Sequence, residues 1–329
     1  MLTNYFKIAL RNIWKQRLFT LINVFGLASG LMVCFLAIAH IKGSMDYDSF
    51  HPNRHRIYRI ITDVINHESG KTGFATSPSP LAEILTNDYP FVETSARVMR
   101  TYNEVSGNNK TLDLITYVVD PTFFKIFSYP ISDGQPAYRP GTAVITRKAA
   151  EKLFGSLNPI GKVLEQEGIA PMVITGVIKE SPSNSHLKFD IIFSVHPNIL
   201  NSSKTWNDYS TVYTYVLLKN RITKAQLIGI LPPLSKITTQ FLDQSKTKSY
   251  EFSAQALTEI SPSQKTLMNS TYEPQVTGLL VEAGVGILTL LMAAFNYINL
   301  TLAGSMNRAR EVGIRKTSGA LRLQLLCQF

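Results

Sequence analysis

Two long uncharged runs bracket a more polar middle. Leu18 to Ile41 reads LFTLINVFGLASGLMVCFLAIAHI, 24 residues with no formal charge. As a helix, a run of that length reaches about 36 Å, more than the roughly 30 Å hydrocarbon core of a bilayer. A cleaved signal peptide is the rival reading, and Ala37 and Ala39 do form an A-x-A pattern. Its apolar region would be only about 7–15 residues long, so the run predicts a retained span. A lipoprotein signal fits poorly, because bulky Val33 precedes Cys34. The second run, Gly278 to Ala303, carries one charge, Glu282, near its start. The 20 residues from Ala283 to Leu302 carry none and suffice to cross a membrane by themselves.

Between the runs the pattern alternates between strand and helix. Arg56–Val64, Leu112–Val119, Thr142–Thr146, Met172–Ile178, Phe189–Ser194 and Thr211–Leu218 read as strands. Pro80–Asp88 reads as a short helix with Ser79 as N-cap, and Lys148–Phe154 as another that ends at Gly155. Thr223–Thr239 has helical spacing, but Pro232 and Pro233 predict an interruption. The fold class expected is α+β: a membrane protein whose two transmembrane helices flank a mixed α/β extracytoplasmic domain. The expected segments are an amphipathic cytoplasmic helix at 1–17, spans at 18–41 and 278–303, an outer domain at 42–276 and a cytoplasmic segment at 304–329.

Charge sets the orientation. The chain of 329 residues has a net charge of +10, and much of it sits beside the spans. Lys7, Arg11, Lys15 and Arg17 precede the first run, and Arg308, Arg310, Arg315, Lys316 and Arg322 follow the second, against Glu311 alone. Basic flanks stay inside, so both termini are expected in the cytoplasm and the middle on the outer side of the membrane. Leu2, Tyr5, Phe6, Ala9, Leu10, Ile13 and Trp14 recur at helical spacing opposite Asn4, Lys7, Arg11 and Lys15, a pattern suited to membrane lipids at the inner leaflet or to packing on the protein's own inner parts. No basic patch interleaved with aromatics occurs, so nucleic acid is not an expected partner.

Candidate chemistry is sparse. The middle region has no cysteine. His51 and His55 stand four apart, as zinc ligands on one helix face do, but Pro52 lies between them and no ligand set accompanies them. Asp46, Asp48 and Asp63 do not match a calcium loop and read as solvated or capping carboxylates. His40, His67, His186 and His196 are scattered. No G-x-S-x-G, Walker A or G-x-G-x-x-G pattern is present, so neither an enzyme nor a cofactor site is expected.

Five ordered stretches then add a resemblance. They are LRNIWKQRLFTLINVFGLASGL, YDSFHPNRHRIYRI, TAVITRKAAEKLFGSLNPIGKVL, VITGVIKESPSNSHLKFDIIFS and FNYINLTLAGSMNRAREVGIRKTSGALRLQLLCQF. Together they resemble the permease subunits of the MacB/FtsX-type ABC transporters, the mechanotransmission class, in the form common in Bacteroidetes. The resemblance implies a MacB-like periplasmic core domain with a porter-like lobe and a distal lobe inserted at about 105–205. It implies a separate cytoplasmic ABC ATPase that binds the ATP, a second permease half as homo- or heterodimer, and a periplasmic adaptor in some members. The implied function is to convert ATP hydrolysis inside into movement outside, for export of antimicrobial peptides, drugs or lipoproteins. The competing readings are a membrane-anchored sensor and an FtsX-like scaffold that regulates a cell-wall hydrolase.

Under that resemblance, Arg308, Arg310, Glu311, Gly313, Arg315, Lys316 and Gly319 are the expected ATPase-coupling residues. The basic members serve either as topological anchors alone or also as partners for acids on the ATPase. Gly313 and Gly319 suit a chain that turns after the span, and Leu321, Leu325 and Leu326 would offer an apolar patch. For helix packing, Gly26 and Gly30 form a G-x-x-x-G pair in the first span. Asn296 and Asn299 either bond another helix or reach the interface. Family members carry further spans, whereas ten residues follow Gly319, so the resemblance leads one to expect a fragment of a longer permease.

Overall fold

A computed structural model describes residues 17–67, 70–180, 182–200, 206–242 and 247–317. The chain divides into two units, Gly43–Val276 and the helical stretches on either side of it.

The helical unit contains α1 (Arg17–Met45) and, numbered last in chain order, α7 (Val276–Thr317). Thr20–Met45 and Val276–Asn299 are long and apolar enough to cross a membrane. Their large side chains are bare: Phe25, Phe35 and Met292 are 67%, 67% and 71% exposed. Lipid tolerates such a surface, whereas water does not. The helix α7, with 42 residues, is about 63 Å long, so its last turns extend past any bilayer it crosses.

The other unit is built on a sheet whose central strands are apolar on both faces. Six elements form two β-α-β units: β1 (Ile57–Asn66), α2 (Pro80–Asp88) and β3 (Val92–Gly107), then β10 (Val212–Leu218), α6 (Lys224–Thr239) and β11 (Thr247–Ala256). Strand β2 (Gly70–Phe74) extends β1 as a hairpin. The order β11-β1-β10-β3 with antiparallel neighbours is the split β-α-β topology of ferredoxin-like folds. Tyr58, Ile60, Val64 and Val216 face the two helices, where Leu81, Leu85, Leu227, Leu231 and Leu234 cover them. Ile57, Ile61, Ala96, Tyr215 and Leu217 face the other way, under Phe123, Phe127, Tyr129, Phe189, Leu257 and Ile260.

Between β3 and β10 the chain makes a small barrel. It adds β4 (Lys110–Val119), α3 (Phe123–Ile126), β5 (Ile131–Gly134), β6 (Thr142–Thr146), α4 (Arg147–Phe154), β7 (Val163–Gln166), β8 (Ile169–Ile178), β9 (Ile191–Ser194) and α5 (Pro197–Leu200). Pairings run from β3 to β4, β9, β6, β8, β7 and back to β3, so six strands close on themselves. Val105, Leu114, Ile145, Leu153, Phe154, Leu164, Ile174 and Phe193 share its buried core. The β3–β4 hairpin turns at Asn108 and Asn109, both at positive φ, as a two-residue type I′ turn requires. Gly107 just before it has no room for more: a Cβ there would lie 2.9 Å from the Phe154 ring.

Three local expectations are corrected. The helix α6 runs unbroken through Pro232 and Pro233. Both prolines are exposed, so the carbonyls they leave unpaired are open to water, while Leu227, Leu231 and Leu234 anchor the opposite face. Burying each of those leucines contributes about 2 kcal/mol, enough to offset much of the local cost. Ser79 does not cap α2 with its side chain; its Oγ donates to the Leu200 carbonyl at 2.6 Å instead. Gly313 makes no turn, because α7 continues through it to Thr317. An interior glycine costs a helix only about 1 kcal/mol, which its neighbours absorb.

Candidate functional site

Two stretches of the Gly43–Val276 unit join it covalently to the helices, one leaving α1 and one entering α7. Both end in the same buried polar chain. On the first, Asp48 adopts φ +53°, a left-handed conformation that short polar side chains tolerate. That turn aims its carboxylate into the domain. Oδ1 accepts from Ser185 Oγ at 3.1 Å and from the His186 backbone N–H at 3.3 Å, and Oδ2 faces His186 Nδ1 at 2.7 Å. His186 Nε2 lies 2.8 Å from the Tyr215 hydroxyl on β10. The tautomer with its proton on Nδ1 satisfies both contacts, donating to Asp48 and accepting from Tyr215.

Tyr215 is the register partner of Arg59 across the β10–β1 pairing, and Arg59 is the one charge in the first six residues of β1. Arg59 is fully buried; its Nη1 donates to Glu273 Oε1 at 2.5 Å and its Nη2 to Gln255 Oε1 at 2.7 Å. Glu273 also accepts from the Thr271 N–H at 3.1 Å and lies three residues before α7. A continuous run therefore links Asp48, His186, Tyr215, Arg59 and Glu273.

Direct bonds reinforce it. Ser261 Oγ donates to the Ser44 carbonyl at 2.9 Å, Asn184 Nδ2 to the Asp46 carbonyl at 2.8 Å, and the Tyr272 N–H to the His186 carbonyl at 3.1 Å.

The electrostatics are those of a packed core. Burial pulls the Asp48 carboxyl up, but His186 beside it outweighs this and holds it below the usual carboxylate range. Burial likewise opposes the Glu273 charge, and the Arg59 guanidinium reverses the balance and lowers its pKa. Burial drives the Tyr215 phenol well above its ordinary value, against a smaller opposing pull from Arg59. His51 sits among Phe50, Phe127 and Tyr129, with ring centroids 4.0, 5.2 and 5.2 Å away. Burial pushes its imidazole down to about 4, against a smaller pull from Asp48. It is therefore neutral at neutral pH, in keeping with Nδ1 accepting the Ser128 N–H at 3.1 Å. A sealed Asp–His–Tyr run with no substrate access can fasten segments together, but it offers no route for turnover.

His51 and His55 do not converge: His51 is buried, while His55 is exposed and takes a hydrogen bond from Arg54. Among the described residues, no group of His, Cys, Asp and Glu has metal-holding geometry. Asp48 corrects the expectation of a solvated carboxylate, since it is 1% exposed. Asp63 pairs with Lys71 at 3.1 Å.

In the helical unit, α1 and α7 meet along small residues. A Cβ on Gly26 would lie 3.5 Å from Asn296 Nδ2, and one on Gly30 would lie 3.4 Å from Ala293 Cβ. Cys34 Sγ contacts the Gly286 carbonyl at 3.2 Å, and His40 Nδ1 meets Glu282 Oε2 at 2.7 Å. Asn299 is exposed. Arg308, Arg310, Glu311, Gly313, Arg315 and Lys316 lie on the last turns of α7; Gly319, with Leu321, Leu325 and Leu326, lies outside the described residues, as does the 1–17 helix apart from Arg17.

Sequence reasoning missed the chain from Asp48 to Glu273 and the His40–Glu282 contact. Signals were present: an arginine inside the apolar run IYRIITDV, and one acid inside an apolar span.

Comparison with known proteins fits this architecture. The model of the MacB-like periplasmic core domain family matches residues 20–232. The chain is 24% identical over 249 residues to the macrolide export ATP-binding/permease protein MacB 2 of Aeromonas hydrophila, covering 73% of this chain and 35% of that protein. It is 28% identical over 189 residues to the uncharacterised ABC transporter permease YknZ of Bacillus subtilis, covering 56% and 42%. The chain thus spans well under half the length of these relatives. A crystal structure of a permease-protein domain from Porphyromonas gingivalis superposes with a TM-score of 0.52 at 19% identity, covering 70% of this chain and 98% of that one, which establishes a shared fold. With the family match running from within α1, through β1 to β10, into α6, the chain belongs to the MacB-like periplasmic core domain family, the outer-domain family of MacB-type ABC transporter permeases.

Proposed function

We propose that the chain acts as a permease subunit of an ABC transporter, passing work done by a separate cytoplasmic ATPase to its outer domain. The observation that carries this reading is that both covalent connections to the spans enter one buried network in the domain core. A domain fastened that way responds as a body to displacement of either helix. On this reading 1–17 is an inner-leaflet helix, 42–276 lies in the periplasm, 304–329 is the coupling segment, and both termini are cytoplasmic in the bacterial inner membrane. Arg308, Arg310, Glu311, Gly313, Arg315, Lys316 and Gly319 form the ATPase-facing surface, and ATP belongs to the partner. A second permease half pairs with this one, and a periplasmic adaptor completes the path for an exported drug, antimicrobial peptide or lipoprotein.

The test is co-purification from native membranes, with any bound ABC ATPase recognised by its nucleotide-binding motifs in mass spectrometry. Association should fall at least about tenfold in the Arg308→Glu/Arg310→Glu double variant, the loss of a few charge-assisted contacts. Failure to recover the ATPase with the unaltered chain, under any nucleotide condition, would overturn the reading.

A further inference from the structure

We infer that Asp48, His186, Tyr215, Arg59 and Glu273 form a single strut that makes the segment leaving α1 and the segment entering α7 move as one with the central sheet. This rests on the proposed mechanical role, and it assigns that role to particular side chains. The argument is geometric. Asp48 is three residues past the end of α1 and Glu273 three residues before the start of α7. They share no contact, yet every intermediate partner is buried: His186, Tyr215 and Arg59 are each 0% exposed.

Each joint also crosses between different parts of the chain. Asp48 to His186 joins the post-span segment to the stretch before β9. His186 to Tyr215 reaches the central strand β10. Arg59 to Glu273 leaves the neighbouring strand β1 for the pre-span segment. A simple local clamp would need one of these joints and not the series. Other bonds attach the pre-span segment elsewhere as well, from Met268 N–H to the Gly73 carbonyl at 2.8 Å and from the Tyr213 hydroxyl to the Asn269 carbonyl at 2.8 Å. The strut therefore adds connection to the far segment rather than merely holding it in place.

Hydrogen exchange on the full chain in nanodiscs reads this directly. In Asp48→Asn, amides of residues 263–271, which leave out the Tyr272 N–H bonded directly to the His186 carbonyl, should exchange at least about threefold faster, because coupling within one buried network propagates. Glu273→Gln should speed exchange at 44–51 in the reciprocal sense. The barrel amides of Val173 and Ile174 should not change. Acceleration confined to 44–51 and 182–187 in Asp48→Asn would overturn the inference. Should that variant loosen the barrel too, Tyr215→Phe decides the matter in the same way, since it removes one oxygen and keeps the ring. No ATPase is needed, so a negative result here and a failed ATPase association are separate outcomes.

Discussion

Replacing Arg59 with Met tests the buried pair at its centre. Both side chains of the Arg59–Glu273 pair are 0% exposed, and Glu273 Oε2 has no protein partner. Arg59→Met therefore strands a carboxylate that has Thr271 but no counter-charge. Removing one partner of such a pair costs about 3–5 kcal/mol, whereas replacing both with apolar groups is often nearly neutral. The Arg59→Met/Glu273→Leu double variant should thus regain most of what the single variant loses.

The pH dependence has a definite sign. In the wild type Arg59 lowers the Glu273 pKa, so that contribution is present above the unfolded value and is lost as pH falls through the folded one. Without Arg59, burial dominates and raises the folded pKa. The carboxyl then folds best protonated, and the penalty grows as pH rises toward neutrality. Urea denaturation of the full chain in detergent, followed by the fluorescence of Trp206 where it stacks on Phe241, measures this at pH 4.5 and pH 7. Equal destabilisation of single and double variants, or a penalty independent of pH, would refute the reasoning.

His51 gives a second pH signature. Its folded pKa of about 4 lies below the ordinary 6.5, so the unfolded chain takes up the proton first and stability drains as pH falls between those values, by about 3 kcal/mol in all; His51→Gln should flatten that slope in denaturation curves. In the helix pair, Cys34 lies against Gly286, so Gly286→Cys should cross-link to it under mild oxidation in membranes, and adding Gly30→Leu should abolish the cross-link by forcing a side chain into the Ala293 contact. In the barrel, Gly107→Ala places a methyl 2.9 Å from Phe154 and should cost about 1–3 kcal/mol in thermal unfolding, whereas no change would show that the ring can yield.

Much of this protein was readable along the chain because the signals are local. An uncharged run of 24 residues has few alternatives to a long helix. Thr142–Thr146 and Pro80–Asp88 form the strand and the helix that local sequence signals suggested, and Gly26 and Gly30 lie where a neighbouring helix approaches. What the tertiary structure decided depends on residues far apart in sequence. The order β11-β1-β10-β3 and the closure of six strands through β7 follow from which edges can bury both faces, and periodicity carries no record of that. Leucines packed on one face carried α6 through two prolines that local propensity alone reads as a break. Above all, Asp48 and His186 are separated by 138 positions, and each looks like an ordinary surface residue in its own window. Only when the chain folds do the carboxylate and the imidazole lose water together, and that shared desolvation turns scattered polar side chains into one connection.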